Sequence, residues 1–407
     1  MTREEIQKAV LDIPNSNILI MAGTGIGKTF CALSKIDKIK PKGKILIVIP
    51  RLVLIQNWKD EFKKWNYEQY LKQTEFVTYV SLPKYAGRTY DIVVYDEGHH
   101  ITPRCQEAIP YINSKFNILL SATIKRTLKP QLYKLFPNLY TFEVSLKTAI
   151  DNGILPEPRI VLIPLNLETV KPTEVLCYGE KKPKQYDSTY ENWLKNKWYY
   201  LKTKPNYGVR VHCTQQQYYK EICSIIESCT NRLRNGLVPA IQRPMVEQVR
   251  KRKGKERLSW LAEIKSDYVN SLLQKLDSNR TLTFCHNIEQ SERLGIYSIN
   301  SKNKHSKEYL NDFNNRKIQH ITCIDMLNEG INLSECELLI FAVYNVSEIM
   351  RIQKVGRGLR HKKPIFIMPY YKDTKEEQIV NDMIADYDKS LVTVVTNPLK
   401  INEYINQ

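Results

Sequence analysis

Asn17-Ile-Leu-Ile-Met-Ala-Gly-Thr-Gly-Ile-Gly-Lys-Thr29 decides the fold of this 407-residue chain. The apolar run Ile18 to Met21 reads as a buried strand, and it feeds a glycine-rich turn that ends in Gly27-Lys28-Thr29. Strand, loop and helix start, in that order, form a phosphate-cradling P-loop. Gly23, Gly25 and Gly27 let the backbone curl until its N–H groups face an anion. Thr24 and Ile26 complete the loop, and Ala22 opens it where glycine is usual. Lys28 would reach the outer phosphates, the Thr29 hydroxyl would suit Mg²⁺, and the helix that begins there adds its positive dipole end. The competing reading is an ordinary turn with a chance Gly-Lys-Thr. The strand before it and a matching acidic motif after it argue against that.

A P-loop needs an acidic partner on a nearby strand to hold the metal and orient water. Asp91-Ile-Val-Val-Tyr-Asp-Glu-Gly-His99 supplies one, a buried-type strand ending in Asp96-Glu97. Asp96 suits the metal, and Glu97 suits the base that polarises an attacking water. In isolation an Asp-Glu pair after a strand is an ordinary loop; the P-loop upstream gives it a chemical meaning.

Apolar, β-branched runs at Ile18–Met21, Ile45–Ile49, Phe76–Val80, Asp91–Tyr95 and Asn117–Leu120 alternate with helical patterns such as Leu54–Trp65. Strands alternating with helices imply an α/β fold, a parallel sheet with helices on both faces. A second block of this kind has strands at Thr281–Cys285, His320–Ile324, Leu338–Ala342 and Pro364–Met368. The chain therefore reads as a first α/β domain over 1–150, a linker and basic, mainly helical insert over 151–275, and a second α/β domain with a C-terminal tail over 276–407. Gly153-Ile-Leu-Pro-Glu-Pro looks like the linker leaving the first domain.

The net charge of +18 is uneven: +9 in residues 1–150, +9 in 151–275 and zero beyond. Such a balance points to a polyanion, most often nucleic acid, although lysine-rich composition alone would also give a solvated surface. No apolar run is long enough to span a bilayer, and the N-terminus lacks the apolar centre of a secretory signal. Nine cysteines are scattered with no Cys-x-x-Cys pair, which indicates neither zinc nor a disulfide framework and fits a reducing cytoplasm.

Further motifs follow in order. They are Ile47-Val-Ile-Pro50-Arg51 with Leu54, Gln56 and Trp58; Thr78-Tyr79-Val-Ser-Leu82; Asp96-Glu-Gly-His99; and Ser121-Ala122-Thr123. The second half adds Leu282-Thr-Phe-Cys-His286, Asn328-Glu329-Gly330-Ile-Asn-Leu333 and Gln353-Lys-Val-Gly-Arg357-Gly-Leu-Arg360. With the P-loop these resemble motifs I to VI of the superfamily 2 helicases and translocases of the DExH type, over residues 18–360. The resemblance implies two RecA-like domains with ATP and Mg²⁺ in the cleft between them. It implies that Lys28, Glu97 and Gln353 serve catalysis, with Arg357 and Arg360 as arginine fingers on one helix face. Gln7 would read the adenine edge, unless it is only a polar residue of an exposed helix, and Glu329 and Gly330 would join the nucleotide site. His99, Ser121, Ala122 and Thr123 would couple hydrolysis to strand grip, and Pro50, Arg51, Thr78 and Tyr79 would touch nucleic acid. Ile324 and Asn332 depart from the family, in which threonine and aspartate are common there.

Arg250-Lys251-Arg252-Lys253 opens the densest charge run, a phosphate grip or a solvated face. Trp193, Trp198, Tyr199 and Tyr200 either stack on bases or pack a core. Glu263-Ile-Lys265 has the end of a nuclease pattern, but no aspartate lies between 188 and 266 to complete it. The linker and the insert resemble those of phage recombination helicases and type III restriction subunits more than those of DEAD-box RNA helicases. The expected protein is an ATP-dependent motor on nucleic acid, DNA before RNA, compact enough for a viral or phage enzyme. The alternatives are a duplex translocase or annealing enzyme, an RNA helicase, and a non-catalytic adaptor.

Overall fold

The protein is described by a computed structural model over residues 2–14, 16–23, 25–179, 181–182, 184–203, 206–295, 297–324, 333, 336–344, 361, 363–385, 387–395 and 401–405. The first domain runs α1 (Arg3–Asp12), β1 (Ile18–Ala22), α2 (Lys28–Ile39), β2 (Ile45–Ile49), α3 (Leu54–Lys64), β3 (Thr74–Thr78), β4 (Thr89–Tyr95), α4 (Pro103–Ala108), β5 (Asn113–Ser121), α5 (Lys129–Leu135), β6 (Tyr140–Val144) and α6 (Leu146–Asp151). Its six strands are all parallel, in the order β3-β2-β4-β5-β1-β6.

Burial explains the continuous apolar runs. Every residue of β1 and β2 is buried, as a parallel sheet covered on both faces requires. The pleat then sorts one run into two cores. Ile18, Ile20 and Ala22 enter one cluster with Ile45, Ile47 and Ile49. Leu19 and Met21 enter the other with Leu46 and Val48.

The middle of the chain runs β7 (Arg159–Leu165), β8 (Glu174–Tyr178), β9 (Lys184–Thr189), α7 (Tyr190–Thr203), β10 (Tyr207–Cys213), α8 (Gln215–Arg234) and α9 (Arg243–Lys275). It is mainly helical, and it also holds a small sheet, β8-β10-β9, that the sequence reading lacked. That sheet and α7 close over Trp193, which is 0% exposed among Leu176, Val209, Val211 and Cys213. Trp198, one turn and one residue further on, is 82% exposed. The aromatic cluster thus divides into a core residue and a surface residue.

The rest runs β11 (Thr281–Phe284), α10 (Ile288–Leu294), β12 (Ser298–Ile299), α11 (Ser306–Asn314), β13 (His320–Cys323), β14 (Leu338–Phe341), β15 (Ile365–Tyr371), α12 (Lys375–Ile384), β16 (Val392–Val394) and α13 (Ile401–Ile405). The second sheet is parallel too, in the order β12-β13-β11-β14-β15-β7-β16. It borrows β7 from the stretch read as linker and insert, because β7 pairs along its full length with β15. Helix α9 likewise sinks Val269, Leu272 and Leu273 into this domain's core. Among the described residues no helix is long and apolar enough to cross a membrane.

Candidate active site

Three neighbouring strands, β4, β5 and β1, end on the same edge of the first sheet. Open parallel sheets bind ligands at the carboxyl ends of their strands. β1 runs into the P-loop, β4 into Asp96-Glu97, and β5 ends at Ser121, opposite Met21 in the register. Sequence motifs far apart in the chain meet there.

The loop is held by geometry that only glycine takes without strain. Gly25 and Gly27 have φ of 94° and 96°. A β-carbon on Gly25 would lie 3.1 Å from Leu155 Cδ2, and one on Gly27 would lie 3.0 Å from Gln7 Nε2. The side chain of Gln7 therefore sits beside the loop. Ile26 is buried and anchors the loop; Thr24 lies outside the described residues. Helix α2 starts at Lys28 with Gly27 as its cap, and Cys31 N donates to Gly27 O at 3.0 Å. The Lys28 ammonium donates to the carbonyl of Ala22 at 2.9 Å and to that of Gly23 at 3.5 Å. Thr29 follows on the first turn, half-buried.

Asp96 is held from two sides. Trp58 Nε1 donates to its Oδ2 at 2.9 Å, and the Tyr79 hydroxyl donates to its backbone carbonyl at 2.7 Å. Tyr79 is buried, with its hydroxyl turned inward to Asp96. Pro50 and Thr78 are half-buried, and Arg51 is exposed. Burial, and then the charge of Glu97, push the Asp96 carboxyl up to about 7 against the pull of Trp58 and Lys28. A buried carboxylate so disfavoured gains most from a cation beside it.

Glu97 occupies the left-handed region at φ 51°, a strained conformation for a residue with a side chain. Burial raises its pKa, but His99 beside it and the charges of Lys28 and His100 outweigh that and hold it below the usual range. His99 Nδ1 stands 3.3 Å from Glu97 Oε2 and pairs with Ser121 Oγ at 3.1 Å. Ser121 Oγ in turn donates to the Thr123 carbonyl at 2.7 Å. Ser121 and Ala122 are buried, and Thr123 Oγ1 is buried without a hydrogen-bond partner among the described residues. Glu97 Oε2 is in the same position, a buried acceptor with no hydrogen-bonded donor among the described residues.

Glu329, Gly330, Asn332, Gln353, Arg357 and Arg360 all lie outside the described residues. Ile324, the departure in motif V, packs against the apolar core of that domain. His286 Nε2 pairs with Ser259 Oγ of α9 at 2.6 Å. Arg250, Lys251, Arg252 and Lys253 fall on α9, Lys251 and Arg252 exposed and the other two half-buried. Sequence reasoning missed the roles of Trp58 and Tyr79 under Asp96. Both carried a motif signal, but nothing in it said that their polar atoms turn inward.

Two families match the chain. "Type III restriction enzyme, res subunit" matches residues 3–84, and "Helicase conserved C-terminal domain" matches residues 264–362. No curated protein matches the sequence. Among solved structures, Saccharomyces cerevisiae Dbp5 bound to RNA and ADP BeF3 is similar with a TM-score of 0.60 and 11% identity, over 99% of this chain and 91% of that one. A fragment of a putative HsdR subunit of a type I restriction enzyme from Vibrio vulnificus YJ016 gives 0.54 and 15%, over 97% and 67%. The Pyrococcus furiosus Hef helicase domain gives 0.50 and 13%, over 93% and 97%. The restriction-enzyme subunit family matched in the first half and the helicase C-terminal family matched in the second support a superfamily 2 helicase, an ATP-hydrolysing enzyme.

Proposed function

We propose that this helicase is a DExH-type motor that works on DNA, using ATP hydrolysis at the β1–β4–β5 edge to translocate or separate strands. The observation that carries the chemistry is Glu97 Oε2, buried, without a hydrogen-bonded donor among the described residues and 3.3 Å from His99 Nδ1. An acceptor in that state is ready to take the proton of an attacking water. Lys28 compensates the charge of the outer phosphates, and Gln7 reads the base edge from beside the loop. The residues at the loop also fit Mg²⁺: a carboxylate, Asp96, and a hydroxyl, Thr29, are the hard oxygen donors it takes. Bound there, Mg²⁺ would neutralise charge on the phosphates. Arg357 and Arg360 are assigned to the transition-state charge on their sequence pattern alone.

One observation favours DNA: the matched N-terminal family is named for a restriction enzyme subunit. The +18 charge, which lies in residues 1–275, suits either nucleic acid. The basic run at 250–253 and exposed Arg51 are the proposed backbone contacts. ATP turnover measured with single-stranded DNA, duplex DNA and single-stranded RNA tests the reading. DNA should raise the rate above basal and RNA should not. Stimulation by RNA alone would make it an RNA helicase, and stimulation by duplex without strand displacement would make it a translocase. A basal rate that no nucleic acid changes would overturn the motor reading.

A further inference from the structure

Helices α8 and α9 form an antiparallel hairpin: Arg243 Nη2 donates to Leu233 O near the tip, and Arg257 Nη1 to Cys223 Sγ further down. The turn between them is fixed. Gly236 takes φ 69°, Leu237 N donates to Arg232 O at 3.0 Å, Gln242 N donates to Pro239 O at 2.9 Å, and Val238 is buried beneath. Yet the same turn presents Leu237, Ile241 and Met245 at 66, 90 and 69% exposure. A rigid tip that holds three large apolar side chains in water is an interaction surface.

The flanks identify its partner. Residues 230–257 hold nine arginines and lysines against two glutamates, and Arg232, Arg234, Lys251 and Arg252 are exposed. An apolar protein surface would gain nothing from so many cations. Nucleic acid offers phosphates along its length, and it offers an apolar face where a duplex ends, on the last base pair.

The other end of the hairpin is anchored. Lys265 of α9 meets Glu376 of α12 at 2.6 Å with both side chains buried, and Gln290 Nε2 donates to Ala262 O at 2.6 Å. With Leu272 and Leu273 in the core, α9 is a rigid arm of about 50 Å fixed to the second α/β domain. Its tip must move as that domain moves.

We propose that the α8–α9 hairpin is a fork wedge. Leu237, Ile241 and Met245 pack on the terminal base pair where the strands part, and the basic flanks hold the adjoining phosphates. The inference rests on the nucleic-acid reading above. Its test uses the full chain with Leu237→Ala, Ile241→Ala and Met245→Ala combined, which spares buried Val238. The probes are a forked DNA duplex with 2-aminopurine at the junction and a single strand of the same sequence. Single-strand affinity and basal ATPase should be unchanged. Fork affinity should fall roughly tenfold, the scale of one lost base contact, and the rise in junction fluorescence seen with the native chain should disappear. Unchanged fork affinity and fluorescence would overturn the wedge while leaving DNA-stimulated ATPase intact. If the native chain binds neither probe and neither raises its ATPase, the nucleic-acid reading itself fails, and the wedge with it.

Discussion

Glu97 combines a left-handed backbone, a buried carboxyl oxygen without a hydrogen-bonded donor and a histidine 3.3 Å away. The first two cost stability in a resting protein, and such costs concentrate where chemistry needs them. The proposed base makes a specific prediction. Glu97→Gln keeps the shape and the ATP affinity but cannot accept the proton, so turnover should fall roughly a hundredfold or more. Lys28→Ala should instead weaken nucleotide binding as well as turnover. Binding of a fluorescent ATP analogue beside a phosphate-release assay separates the two. Near-native turnover by Glu97→Gln would remove Glu97 from the role.

Among the elements, the β8-β10-β9 sheet and α7 form a small unit closed over one indole. Trp193 is buried against Tyr178, with ring centroids 4.3 Å apart. Trp193→Ala should cost roughly 3–5 kcal/mol of that unit's stability, the range for emptying a large aromatic site. Trp198→Ala, at an exposed position on the same helix, should stay within about 0.5 kcal/mol. Denaturant unfolding of the two variants measures both. Equal effects would mean that α7 does not pack as described. The same contrast answers whether these aromatics stack on bases: Trp193 has no free face, so only Trp198 and its exposed neighbour Tyr199 remain available.

For the molecule as a whole, the joint between α9 and the second domain matters most. Burial lowers the Lys265 pKa, Glu376 opposes that shift, and the ammonium also lies 4.7 Å from the centre of the Tyr344 ring. Removing one partner leaves the other charge buried and alone. Lys265→Ala should therefore cost about 3–5 kcal/mol, while Lys265→Met with Glu376→Leu should recover most of it. Chemical denaturation reads the stability, and fork binding reads whether the hairpin still stands rigid. A double variant as unstable as the single one would show that the pair's geometry, and not charge burial, holds the joint.

The sequence by itself determined what local chemistry can write. Continuous apolar runs demanded strands buried on both faces, and glycines at 25 and 27 suited a left-handed loop; the proposed roles of Asp96 and Glu97 also start from their place at a strand end. Tertiary structure alone decided what depends on distant partners. Trp58 and Tyr79 reach Asp96 across 38 and 17 residues, and Lys265 reaches Glu376 across 111. β7 joins a sheet whose other strands begin more than a hundred residues later. Trp193 and Trp198 look alike in the chain, and only the sheet folded over one of them makes it core. Periodicity reports which face of an element is apolar; it carries no record of what that face will meet.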